Sequence, residues 1–252
     1  MMKRITLLLT ALLTLIAVAQ KNSFRMDVFL NDGTKRSYDL SSVKYVTIQE
    51  IGDKIAPNGD TIRMVDLNLP SGTLWADRNI GAKNLTDVGI YYSWGEILPK
   101  TEYTLKNYDF KTKLWNINDT QNDAVRMTWG YDYSLPDSTQ CAELCDTRFT
   151  QWKAVTKKDS KGKIIRGHIV KSKTNNDSIF LPETGYKSGT TIYSFPTEYS
   201  GRYWSATRGG RGAHSQQATE SWTLSILKNN PYMHFWRQDN GLPIRPTLKK
   251  KQ

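Results

Sequence analysis

Val65-Asp66-Leu67-Asn68-Leu69-Pro70-Ser71-Gly72-Thr73-Leu74-Trp75-Ala76, continued by Asn79-Ile80-Gly81-Ala82, opens the part of the chain that carries the main fold. From Met64 onward the sequence is rich in Trp, Tyr, Gly and short apolar runs, with turn residues at short intervals and little helical periodicity. The clearest helix signal is Leu135-Pro136-Asp137-Ser138-Thr139-Gln140. Asp137 can cap the first turn, and Gln140 sits at the reciprocal capping-box position. Cys141, Leu144 and Cys145 then fall on one face at i, i+3 and i+4 and predict a short, inward-packed helix. A second helical segment is expected over 84–91. Strands are predicted at 164–171, 178–182, 202–206, 221–227, 232–238 and 242–246. The fold class is therefore α+β, with most of the β structure in the C-terminal half.

Working outward, residues 20–50 form a small β element. Met26, Val28 and Leu30 alternate with polar residues, Asn31-Asp32-Gly33 is a hairpin signal, 35–40 can return as the second strand, and Tyr45-Val46-Thr47-Ile48 makes a third. So few residues bury little alone, and the element must dock on something. Gly52, Pro57, Asn58 and Gly59 mark 51–63 as a linker, the main domain runs from 64 to 248, and 249–252 is a basic tail.

At the N-terminus Lys3 and Arg4 precede an apolar run from 5 to 18, and Ala17-Val18-Ala19 supplies a small-x-small cleavage pattern. The run is shorter than the about 20 apolar residues of a membrane-spanning helix. Residues 1–19 thus read as a secretory signal peptide cleaved before Gln20. No cysteine follows to carry a lipid, and no later stretch is apolar enough to span a bilayer. The expected product is exported to the periplasm, the cell surface or the medium, and is not an integral membrane protein.

The 252 residues are 38% hydrophobic, 23% charged and 11% aromatic, values that exclude wholesale disorder. Two cysteines exclude a disulfide-dense scaffold, and three scattered histidines argue against a His-built metal or triad site. The formal charge of +11 falls to +9 once Lys3 and Arg4 leave with the signal. A basic exported chain can lean on acidic glycans, anionic headgroups or an acidic protein. Nucleic acid is not expected, because no reading motif is present.

The opening stretch resembles the start of the Fibrobacter succinogenes major paralogous domain family. Six further segments occur in that family's order: Gly89-Ile90-Tyr91-Tyr92-Ser93-Trp94-Gly95-Glu96, Leu135-Pro136 with its helix, Ser178-Ile179-Phe180-Leu181-Pro182, Gly185-Tyr186, Gly201-Arg202-Tyr203-Trp204-Ser205-Ala206-Thr207 and Gly241-Leu242-Pro243-Ile244-Arg245-Pro246. The short β segment at 26–49 also looks like those that precede such domains in exported proteins of Bacteroidota-like bacteria. The resemblance implies a C-type-lectin-like fold with two short helices, a twisted antiparallel sheet and long loops, on a secreted or surface-associated protein. It transfers no catalytic activity, and fold alone never determines function.

Trp75, Trp94 and Trp204, each among small residues and strand formers, are expected as core pillars whose indole N–H groups need partners. Trp115, in a polar stretch, could equally be core or an exposed stacking surface. The polar connection over 207–220 is the main ligand-loop candidate: Arg208, Arg211, His214, Gln216 and Gln217 can donate to hydroxyls or carboxylates, and its glycines allow close approach. The same stretch could be a plain connector. Residues 228–232 and the turn over 237–240 form a second candidate surface, expected to lie apart from the first.

No catalytic residue is assigned. Glu96 would need a second carboxylate across a scissile bond, and Asp66 and Asp87 more naturally brace turns. No metal or cofactor is expected: the calcium tripeptides of animal C-type lectins are missing or interrupted, and no cysteine follows Cys145 to support formylglycine-generating chemistry. His168 and His234 read as lone strand residues. Cys141 and Cys145, at i and i+4, run parallel rather than converge, so two thiols fit better than a bridge. The leading expectation is a non-catalytic recognition module for a glycan or an envelope protein. The alternative is an envelope assembly component using the N-terminal β element, with a hydrolase behind both.

Overall fold

The computed structural model describes residues 24–29, 34–42, 54–110, 112–158, 162–194, 200–210, 219–228 and 230–249. The chain divides into two compact units, Met1–Ile48 and Gln49–Gln252. In the first, β1 (Arg25–Phe29) pairs antiparallel with β2 (Lys35–Asp39), Phe29 opposite Lys35 and Arg25 opposite Asp39. Asp27 holds the pair on one face, accepting from Ser37 Oγ at 2.6 Å and Lys35 Nζ at 3.1 Å. The signal segment 1–19, the turn Asn31-Asp32-Gly33 and the strand expected at 45–48 lie outside the described residues.

The second unit is α+β. Its first sheet has the order β3 (Met64–Asp66), β4 (Thr73–Ala76), β14 (Thr247–Lys249), β5 (Tyr133–Ser134). The two ends of the domain are therefore hydrogen-bonded together, Thr247 opposite Trp75. A second sheet contains β6 (Thr150–Lys158), β7 (Ile164–Ser172) and β8 (Ser178–Pro182), and a short hairpin pairs β9 (Tyr186–Ser188) with β10 (Thr191–Tyr193). The third sheet is β11 (Gly201–Gly209), β12 (Glu220–Leu227) and β13 (Asn230–Arg237), with a register irregularity between Trp204 and Arg208. Two helices complete it, α1 (Ala124–Trp129) and α2 (Ser138–Cys145).

The opening stretch makes a β3–β4 hairpin. Asp66 Oδ1 accepts from Asn68 N, which allows Asn68 its left-handed backbone, and Gly72 N donates to Leu69 O. α2 carries the expected capping box: Gln140 N donates to Asp137 Oδ1 at 2.8 Å, and Asp137 N to Gln140 Oε1 at 2.9 Å. Cys141 and Leu144 are buried on its inner face, and both cysteines are free thiols.

β11 runs between two apolar clusters, because successive strand side chains point to opposite faces. Tyr203 packs with Trp75, Leu67, Leu144 and Leu224, and its neighbour Trp204 packs with Trp94, Ile117, Val125 and Leu242. Trp75, Trp94 and Trp204 are all buried. Trp94 donates to Ser205 O and Trp204 to Tyr92 O, whereas the Trp75 indole N–H has no partner among the described residues.

Four expectations change. Residues 84–91 are turns, not helix: Asp87 Oδ2 accepts from Asn84 N, and Gly89 has φ +78°. The second helix is α1 instead, where Asp123 accepts from Val125 N and Arg126 N. Residues 242–246 form no regular strand, since Pro243 and Pro246 lack N–H groups; their carbonyls instead receive Trp204 N and Ala76 N. The linker reading of 51–63 also changes, because Ile55 pairs with Thr61, and Ala56 and Ile62 are buried in the cluster around Trp204. Finally, Lys249 of the supposed tail ends β14 and pairs with Asp119 at 3.2 Å.

Candidate functional site

Arg208, expected in a ligand loop, belongs to β11, which runs on to Gly209. It is buried, its Nη1 donates to Thr112 O at 3.0 Å, and its backbone N–H donates to Trp115 O. Its guanidinium is thus engaged inside the fold, on a strand rather than in a loop. Arg211, His214, Gln216 and Gln217 lie outside the described residues. Trp115 is exposed. The 237–240 turn is not remote from this region: Gln238 N donates to Thr219 O, at the far end of the 207–220 connection. Arg237 there pairs with Asp239 at 3.0 Å.

Glu96 is ion-paired with Lys100 at 2.6 Å. Among the described residues, no group of three or more His, Cys, Asp or Glu side chains could hold a metal, and no helix is long and apolar enough to cross a membrane. His168 is buried, with Nε2 2.6 Å from Lys228 O, while His234 is exposed.

The feature that stands out lies on the face of the third sheet opposite Tyr203. Cross-strand register aligns Arg202, Ser225 and Tyr232, then Trp204, Thr223 and His234, then Ser221 and Trp236. Along its middle the central strand offers small hydroxylated side chains on this face, Ser221, Thr223 and Ser225, so the long side chains of its neighbours can meet over them. Thr223 Oγ1 lies 2.9 Å from Ser225 Oγ, and Ser221 Oγ accepts from Gln238 Nε2 at 2.9 Å. Arg202 reaches across this floor, its guanidinium carbon 4.1 Å from the Trp236 ring centroid and 5.5 Å from that of Tyr186. The β9–β10 hairpin adds a stacked pair, Tyr186 on Tyr193 at 5.2 Å and 15°, with Tyr186 edge-on to Trp236 at 4.9 Å. Tyr193 and Tyr232 are exposed, and Arg202, Tyr186 and Trp236 are half-buried. The result is an aromatic ledge around one cation.

Arg202 differs from the other enclosed arginines. Arg78 pairs with Asp77, and Arg245 makes three hydrogen bonds, to Asn79 Oδ1, Ala76 O and Phe180 O. Arg202 Nη1 is shielded from water with no acceptor, and no carboxylate among the described residues pairs with the guanidinium. Burial lowers its pKa from the ordinary arginine value. Ring faces attract the cation but satisfy no N–H donor as a carboxylate would.

On the other side of the hairpin lies a cleft of about 420 Å³ lined by Tyr91, Arg166, Glu183, Ile192 and Ser194 among others. Ile192 and Ser194 face this cleft, and Tyr193 between them stacks on Tyr186, so β10 divides cleft from ledge. One Glu183 carboxylate oxygen is buried without a partner; burial raises that carboxyl's pKa, and nearby Arg166 and the Ser200 N–H pull it back down.

No family model matches the chain, and no curated protein or solved structure matches it significantly.

Of the ledge residues, sequence reasoning placed Tyr232 on a candidate surface, within 228–232, and missed the others, although a signal was available. In Asn230–Arg237 the residues Tyr232, His234 and Trp236 alternate with Met233 and Phe235, which puts three ring-bearing side chains on one face of a strand. Arg202 stood inside a quoted motif without a role. That it lacks a counter-charge is a property of spatial neighbours, which no sequence pattern contains.

Proposed function

We propose that this chain is an exported, non-catalytic recognition module whose main domain is C-type-lectin-like, of the Fibrobacter succinogenes major paralogous kind, and holds a glycan on the ledge of the third sheet. One observation carries the reading: Trp236 and Tyr186 flank Arg202 on a part-exposed face, with Tyr193 stacked on Tyr186 and Tyr232 two strands across. Flat ring faces suit the C–H faces of a sugar, and the cation adds a donor for its oxygens. Export is supported by the pattern Lys3-Arg4, the apolar run and Ala17-Val18-Ala19.

The test is binding of the chain lacking residues 1–19 to a panel of neutral and acidic glycans, with and without EDTA. Saturable binding is expected, and Tyr193→Ala and Trp236→Ala should each weaken it by about three- to tenfold, as for an aromatic contact of about 0.5–1.5 kcal/mol. Binding that neither substitution changes rejects the ledge.

A second reading, assembly into an envelope structure, is favoured by the first unit. Among the described residues both strands of the β1–β2 sheet are edges, and Phe24 and Phe29 are 58% and 75% exposed. Deleting 20–48, which spares the Ile55–Thr61 pairing and Ala56 of the main domain, would then abolish association; a truncated chain that still associates defeats it.

A further inference from the structure

We propose that the ledge selects acidic sugars, with the carboxylate of a uronic-acid-type residue supplying Arg202 the counter-charge that no described residue supplies. This deepens the recognition reading above and rests on it. The argument starts from contrast within one molecule. Arg78, Arg126, Arg148 and Arg237 all have a carboxylate within 4 Å, and buried Arg245 has three acceptors. Arg202 alone of these six is held in a half-buried place between rings with no hydrogen bond to Nη1. A guanidinium so enclosed has lost part of its hydration and gained only ring faces in return.

The surroundings also restrict what can relieve it. Ser225 and Thr223 beneath it are hydroxyls already engaged with each other and with His234 O, and they carry no charge. Tyr232 stands two cross-strand pairs away, through Ser225, and Tyr193 lies beyond Tyr186. A ligand must therefore bring its own anion together with a body that lies on aromatic faces. A sugar ring bearing a carboxylate combines the two. A free inorganic anion lacks the body, and a neutral saccharide lacks the charge. Net basicity of the chain would attract any polyanion, but only weakly and in a salt-dependent manner.

The probe is a short oligogalacturonate compared with its methyl ester, the same backbone with the charge removed, both measured by calorimetry at about 0.15 M salt. The acid should bind at least about tenfold more tightly than the ester, the scale of one desolvated charge-assisted contact. Arg202→Gln should erase that difference by lowering acid binding to the level of the ester, and Arg202→Lys should keep part of it. Arg148→Gln, on an exposed arginine paired with Asp146, should change neither. Near-ultraviolet circular dichroism of each variant checks that the fold is retained. Equal binding of acid and ester overturns the inference while leaving glycan recognition standing. So does a preference that survives Arg202→Gln, because general basicity would then be its cause. Silence toward both probes also overturns it, and the recognition reading falls as well only if the whole neutral and acidic panel is silent.

Discussion

Arg245 Nε donates to Asn79 Oδ1 at 2.8 Å across 166 positions of sequence, and both side chains are buried. The same guanidinium donates to Ala76 O and Phe180 O, and Asn79 Nδ2 donates to Val88 O. One buried cation thus ties the end of β4, the end of the domain, β8 and the 84–91 turns. Burial pulls its pKa down to about 10, so it is still charged at neutral pH and depends on those acceptors.

Arg245→Met should therefore destabilise the domain by about 3 kcal/mol or more, since three acceptors lose their donor together. Urea denaturation would show a lower midpoint with an unchanged slope. Arg245→Lys can satisfy only part of the fork and should fall between the two.

Gly89 occupies φ +78°, and a Cβ built there would lie 2.3 Å from the Ile80 carbonyl oxygen, which already accepts from Ile90 N. Neither backbone strand can move without breaking that bond. Gly89→Ala should cost about 2 kcal/mol or more, from left-handed strain and the clash together. Gly59→Ala, with φ +90° but open space around it, should cost less. Thermal or urea unfolding of the two variants compares them directly.

His168 is buried beside Trp152, and desolvation lowers its pKa below the ordinary 6.5. The unfolded chain then binds a proton that the native state resists. Stability from this residue is present above about pH 6.5 and is lost as pH falls through the lower folded pKa. The urea midpoint should hold steady from pH 8 to about 7 and decline below about 6.5. His168→Gln should flatten that part of the profile, and an unchanged slope would remove His168 as its cause.

Cys141 and Cys145 are both free, and burial raises both thiols, that of Cys145 to about 12. Thiolate is the reactive form. The native protein should resist alkylation at about pH 8, and the chain unfolded without reductant should titrate two thiols. Failure to find them would mean a bridge forms despite the parallel side chains of an i, i+4 pair.

The capping box at Asp137 and Gln140, the strand Ser178–Pro182 and the inward face of α2 were legible because each is local: the residues that decide it lie within a few positions of one another. The misreadings share the opposite property. The 84–91 segment has passable helical spacing, but Gly89 packs on Ile80 and Asp87 caps a turn. The 242–246 segment has strand-forming residues, but its two prolines turn it into a row of acceptors for other segments. β6 was passed over although Thr150, Trp152, Val155 and Thr156 are strand formers within Thr150–Lys158. Its partner, β7, is a separate segment whose register with it appears only on pairing.

By itself the sequence determined the elements whose hydrogen bonds close on near neighbours, the burial of its central tryptophans and the basic balance of the chain. Only the tertiary structure decided which arginine is spent and which is spare. Arg208 and Arg202 sit six positions apart on one strand, yet one meets the Thr112 carbonyl and the other meets Trp236 and Tyr186. A charge is satisfied by whatever lies within a few ångströms of it, and folding alone determines those neighbours.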